Sequence, residues 1–358
     1  MKPTRKNVLV VSSGCLVILL LIGVVRLRGG AADSHYQPAK VDGPYQVEAI
    51  EKLILHDQKR NKDLAVSISF PRTGGPFPLI VFSHGAGGSG TNYFPLTRFW
   101  VTHGYVVIQP THADSIILRR EQGERVSILN ILDDQMLTDP RAWENRTRDI
   151  SFVLDSIAEI ERRTPALKGK IDRKSIGVGG HSYGAYTSQL IGGAVITLPG
   201  SGKTQTYRDD RPRALLLLSP QGRNQQGLGE SSWKMMNRPM MSMTGTYDRG
   251  RGGQTPEWRM DPFTFSPAGD KYHVFIEGAN HGSFTGRLAE DGPAVGLAAR
   301  RYERLMEGTD QKAIFDYIKM ASLAFWDAYL KGRSEAKGYL KSDTLVTYSK
   351  GAVTLKRK

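Results

Sequence analysis

From residue 45 to about residue 330, short apolar runs alternate with longer stretches in which apolar residues recur at helical spacing. The runs "LIVFSH" (79–84), "YVVIQP" (105–110), "SIGVGG" (175–180), "ALLLLSP" (214–220), "PMMSMTG" (239–245) and "YHVFIEG" (272–278) have the continuous apolar character of strands covered on both faces. "LAVSISF" (64–70) instead alternates, as a half-buried strand does. Helices are predicted near 95–103, over 142–162, where Ile150, Val153, Leu154, Ile157 and Ile160 share one face, and over 311–330. Strands separated by helices require crossover connections, so the pattern predicts an α/β fold: a mostly parallel central sheet with helices on both faces.

The N-terminus follows a different rule. Lys2, Arg5 and Lys6 precede an uncharged stretch at 8–25, "VLVVSSGCLVILLLIGVV", about the minimum length for a bilayer-spanning helix. Arg26 and Arg28 stand between this stretch and the small residues that a signal peptidase would need, which favours an uncleaved anchor over a signal peptide. Positive charge in front of the span keeps the N-terminus in the cytoplasm and puts the domain on the outer, periplasmic or extracellular, side of the cytoplasmic membrane. If the segment is cleaved, the domain is secreted. The expected organisation is 1–31 anchor or signal peptide, 32–44 linker, 45–335 catalytic domain and 336–358 basic tail with a candidate β-hairpin.

Composition narrows the partners. The net charge is +14, but five of the cations fall before residue 32 and the remainder are scattered in pairs such as Arg119-Arg120 and Arg300-Arg301. That is no compact basic stripe, and no nucleic-acid partner is expected. The lone cysteine, Cys15, lies in the N-terminal run, so the domain has neither a disulfide nor a cysteine nucleophile. No metal and no organic cofactor are expected.

Candidate chemistry centres on Gly180-His181-Ser182-Tyr183-Gly184. "SIGVGG" places Ser182 at the end of a buried strand, and the following "AYTSQLIGGA" suits a helix; this is the strand, sharp turn, helix context of a nucleophile elbow. The turn brings neighbouring chain so close that side chains at Gly180 and Gly184 would collide. A nucleophilic serine needs a base and an orienting carboxylate, in the chain order serine, acid, histidine for such an elbow. Downstream of Ser182 there are two histidines. His273 lies inside an apolar strand and reads as a core residue, whereas His281 follows that strand in "GANHGSF", on a loop of small residues. Asp248 in "TGTYDRG" follows a buried strand at its C-terminal edge, where sheets of this kind place their sites; Asp209, Asp210 and Asp261 do not. The oxyanion donors are expected to be the N–H groups of Tyr183 and of Ala86, in the small-residue loop "SHGAGGSG". Tyr93 and Trp233 are expected as walls of the acyl pocket.

Two rival motifs fail on context. Gly85, Gly87 and Gly90 fit a dinucleotide fingerprint, but the next strand ends in Gln109-Pro110 and lacks the acidic ribose partner. "TLPGSGKT" (197–204) lacks the first glycine of a phosphate loop and the helix after it, and is expected as a loop above the active site.

The set "FSHGAGGSG", "GGHSYGAY", "TGTYD" and "GANHGSF", in this order, resembles the α/β-hydrolase superfamily, and within it the group similar to dienelactone hydrolases, chlorophyllases and platelet-activating-factor acetylhydrolases. The likeness runs from about residue 44 to 330. It implies the α/β-hydrolase fold and a serine esterase acting through an acyl-enzyme on a small-molecule ester, with a short- to medium-length acyl group. A serine in place of the cysteine of dienelactone hydrolases points to ordinary ester hydrolysis, and "SPQG" where related polyester hydrolases carry a tryptophan argues against polyesters. A peptidase of the same fold, and a non-catalytic binding protein, are the alternatives that amide-substrate assays and active-site labelling separate.

Overall fold

The described residues of this computed structural model are 36–127, 137–290 and 308–358. The described residues belong to one compact unit. The expected anchor and Cys15 lie outside the described residues. Among the described residues no helix is long and apolar enough to cross a membrane.

The chain begins with three strands, β1 (Val47–Asp57), β2 (Lys62–Pro71) and β3 (Phe77–Ser83). Helix α1 (Phe94–Thr102), β4 (Val106–Thr111) and the short α2 (Ile116–Glu121) follow. After α3 (Pro140–Asp155) and α4 (Ile157–Arg163) come β5 (Ile171–His181) and α5 (Tyr183–Ile191), then the small strands β6 (Val195–Thr197) and β7 (Thr204–Thr206). The remainder is β8 (Ala214–Leu218), β9 (Met240–Tyr247), α6 (Asp261–Phe265), β10 (Lys271–Asn280), α7 (Arg287–Glu290), α8 (Gln311–Tyr329), α9 (Ser334–Lys341), α10 (Thr344–Tyr348) and β11 (Val353–Arg357).

Nine of these strands form one sheet in the order β1-β2-β4-β3-β5-β8-β9-β10-β11. The six from β4 to β10 run parallel, and antiparallel strands complete both ends. The core has two layers because successive strand residues point to opposite faces. On β3, Ile80 and Phe82 pack with Trp100 of α1 and Phe325 and Trp326 of α8, while Leu79 and Val81 pack with Ile150 and Val153 of α3 and Leu190 of α5. Fully burying each such side chain contributes about 1.5–3 kcal/mol, which explains why these runs carry no polar interruption. The helix starts are capped: Asp139 accepts from Arg141 N at 2.9 Å ahead of α3, and Asp310 from Ala313 N at 3.0 Å ahead of α8.

Four expectations need correction. The helix expected over 142–162 is two helices, broken where Ser156 caps α3. The stretch 197–204 is no loop over the site: its ends pair as the β6–β7 ribbon, and none of its residues lines the central cavity. The C-terminal segment forms no hairpin. It folds as α9, α10 and β11, and β11 pairs with β10, because Val353 and Leu355 are apolar at alternate positions and bury against the sheet. Residues 36–44 are not a free linker either, since Tyr36 Oη donates to Asp327 Oδ2 at 2.7 Å and Gly43 N to Thr102 Oγ1 at 2.9 Å.

Candidate active site

Ser182 stands between β5 and α5 with φ 54° and ψ −119°, a strained conformation for a residue with a side chain. The turn is as tight as the glycines imply: a Cβ on Gly180 would run into the Gly184 carbonyl, and one on Gly184 into the carbonyl of Ser83. The Ser182 N–H is tied to Leu218 O at 2.9 Å, and Tyr183 opens α5.

Asp248 follows β9 and His281 follows β10, as strand ends in a parallel sheet allow. His281 Nδ1 lies 2.8 Å from Asp248 Oδ1. Asp248 is fully buried: Oδ1 accepts from Ser219 Oγ at 2.8 Å and lies 3.1 Å from Arg259 Nε as an ion pair, and Oδ2 accepts from Thr244 Oγ1 at 2.9 Å. Burial pushes its carboxyl up, but the His281 hydrogen bond and the Arg259 charge outweigh this and hold it down at about 2. Ser182 and His281 line the same cavity of about 610 Å³, together with Ala86 and Tyr183. A direct bond from Ser182 Oγ to the His281 ring is not among the hydrogen bonds of the described residues.

The loop carrying Ala86 is anchored on both sides. Gly85 N–H donates to Tyr93 Oη at 3.0 Å and Gly87 N–H to Asp114 Oδ2 at 3.0 Å, while Gly88 N–H closes onto Gly85 O at 3.1 Å. Between them the Ala86 N–H donates to no group among the described residues. Beneath the loop lies a buried charged network. Arg146 pairs with Asp114 and donates to the His84 carbonyl. His112 Nδ1 is 2.9 Å from Asp149 Oδ2, and Arg60 and Lys62 each reach Asp149 at 2.7 Å. Burial first, then the nearby Arg146 charge, pushes His112 down to about 4, so it is neutral; its Nδ1–H donates to Asp149 and its Nε2 accepts from Ser83 Oγ at 2.9 Å.

Two residues expected as pocket walls are placed elsewhere. Tyr93 is 4% exposed, and its hydroxyl bridges Gly85 N–H and His181 Nδ1 (2.9 Å). Trp233 is fully buried in the core, its Nε1 donating to Gln189 Oε1 at 2.6 Å. Both are large aromatics whose one polar atom found a buried partner, which removes them from the cavity. Trp258 and Leu137 line it instead, with Gln221, Gln226, Arg249 and Arg251. His273 is a core residue, 2.8 Å from Ser242 Oγ. Among the described residues no group of three or more His, Cys, Asp or Glu is arranged to hold a metal ion. Ser219 and Arg259 escaped the sequence reading. Their only signal is a serine directly after a buried strand and an arginine in a Trp-Arg turn, and neither pattern announces a role.

Comparison with known proteins adds to this geometry. A platelet-activating factor acetylhydrolase from Cavia porcellus is 24% identical over 283 residues, covering 72% of this chain and 59% of that protein. The protein of the same name from Canis lupus familiaris is 24% identical over 304 residues, covering 74% and 62%, and that from Bos taurus is 29% identical over 141 residues, 32% of each. The chain thus spans about three fifths of the length of the first two relatives. Residues 80–337 match the alpha/beta hydrolase family, and with the mostly parallel sheet that carries the strained serine turn, the chain belongs to that family.

Proposed function

We propose that the chain is a serine hydrolase of carboxylic esters. The observation that carries the reading is the 2.8 Å contact between a fully buried Asp248 and His281, on a cavity that Ser182 shares. Asp248 holds the imidazole with Nδ1 protonated, leaving Nε2 as the base. Ser182 Oγ attacks the ester carbonyl as its proton passes to Nε2. The resulting oxyanion takes hydrogen bonds from the Ala86 and Tyr183 N–H groups. As the carbonyl re-forms, the C–O bond to the alcohol breaks and Nε2 returns the proton to the leaving oxygen. Water, deprotonated by the same nitrogen, then attacks the acyl-serine and releases the acid and Ser182.

For the substrate, a short to medium acyl group fits best. Leu137, Tyr183, Trp258 and Ala86 supply the apolar wall of this cavity of about 610 Å³, beside four amide and three arginine side chains. The relatives' name, an acetylhydrolase, agrees with a short acyl group. We also assign residues 8–25 as an anchor that holds the domain outside the cytoplasmic membrane; recovery of the full chain from the cytosol would overturn this.

The test is labelling by a fluorophosphonate probe, together with kcat/KM across p-nitrophenyl esters from C2 to C16. Labelling lost in Ser182→Ala and an optimum between C2 and C6 are expected. Undiminished labelling of Ser182→Ala would refute the serine reading, and an optimum at C12 or beyond the acyl preference.

A further inference from the structure

Arg259 sits in the turn Pro256–Met260 with its side chain only 5% exposed, and it has more to hold than a surface cation would. Its guanidinium reaches four backbone carbonyls on two loops. Nε donates to Asp248 O at 2.8 Å, Nη1 to Ser219 O at 3.0 Å and Pro220 O at 3.1 Å, and Nη2 to Arg249 O at 2.9 Å. Carbonyls satisfy its protons but leave its charge uncompensated. The carboxylate against that charge is Asp248, with Oδ1 at 3.1 Å, and Nη2 is 3.5 Å from His281 Nδ1. Asp248 Oδ1 is therefore shared between a permanent cation and the imidazole, and Ser219 Oγ, 2.8 Å from both Oδ1 and Nδ1, fills the third side.

We propose that Arg259 is a positioning residue of the triad: its fork fixes the loops that bear Asp248 and Ser219, and so holds Asp248 Oδ1 and Ser219 Oγ, each 2.8 Å from His281 Nδ1, against the imidazole. The proposal rests on the serine-hydrolase reading.

The experiment measures kcat and KM separately for wild type, Arg259→Gln and Arg259→Lys with a p-nitrophenyl ester, alongside thermal unfolding and a Ser182→Ala control. The glutamine variant should lose about tenfold or more in kcat with KM little changed, because a misplaced Asp248 and imidazole act on the transition state. The lysine variant, which keeps the charge but not the fork, should lose kcat in the same way. A folded Arg259→Gln with kcat within about twofold of wild type, or with its loss confined to KM, would overturn the proposal. If Arg259→Gln does not fold, the lysine variant decides by the same split between kcat and KM. Full activity in Ser182→Ala would instead bring down the serine-hydrolase reading, and with it this assignment.

Discussion

Asp114 accepts the Gly87 N–H at 3.0 Å, and this bond holds one side of the loop whose Ala86 N–H points to no internal acceptor. The same carboxylate pairs with buried Arg146, so backbone geometry at the site depends on a charge pair below it.

Replacing Asp114 with asparagine would set an amide N–H against the Arg146 guanidinium or withdraw the acceptor from Gly87. A loss of about 3–5 kcal/mol is expected from leaving one buried charge unpaired, read as a shift in the urea midpoint. In the protein that remains folded, kcat should fall by about tenfold or more with KM little changed, since the misplaced donor acts on the transition state. Unaltered kcat would show that Ala86 is not an oxyanion donor.

Gly184→Ala is a test of the elbow. The added methyl group would overlap the Ser83 carbonyl, which cannot yield without displacing β3. Activity should drop below detection and the melting temperature should fall; a variant with normal turnover would contradict the tight approach of α5 to β3.

Asp248→Asn should cut kcat by about 10⁴ while circular dichroism stays native, because the amide favours the wrong imidazole tautomer. A loss of less than tenfold would point to another carboxylate.

Stability should decline with acid in two stages. Burial holds His112 at about 4 and His273 at about 3, below the ordinary 6.5, so the unfolded chain takes up protons first and stability begins to fall below pH 6.5. Asp114 and Asp248 are held at about 2 against burial, chiefly by Arg146 in one case and by His281 and Arg259 in the other. Their contribution, about 2 kcal/mol each, is complete above the unfolded value of 3.8 and is lost as pH falls towards 2. Urea unfolding between pH 7 and 2 reads both stages, and a flat profile down to pH 4 would show that these histidines are not neutral in the fold.

What the sequence disclosed and what it hid follow from how each feature is encoded. Ser182, Asp248 and His281 each sit at the end of a continuous apolar run, and such runs mark buried strands whose C-terminal ends gather in one place. β1 was not legible because its register shifts between Ile50 and Leu53, which breaks the alternation that marks an edge strand. Tyr93 and Trp233 were misassigned because an aromatic near a site reads the same whether it faces the cavity or the core; the buried acceptor for the hydroxyl or indole decides, and that acceptor is distant in sequence. Arg259 was invisible for a related reason. Four of its partners are backbone carbonyls, and a carbonyl leaves no trace in residue identity.

Strand β11 lies antiparallel to β10, with Val353 opposite Ile276 and Leu355 opposite Val274. The strand that delivers His281 is thereby satisfied on both sides. Stripped of this neighbour, β10 would offer a row of open N–H and C=O groups to any strand that approached, including its counterpart in a second molecule. The segment at 353–357 is thus a guard against self-association as much as a part of the sheet, and truncation before it should give aggregates rather than a slightly weakened enzyme.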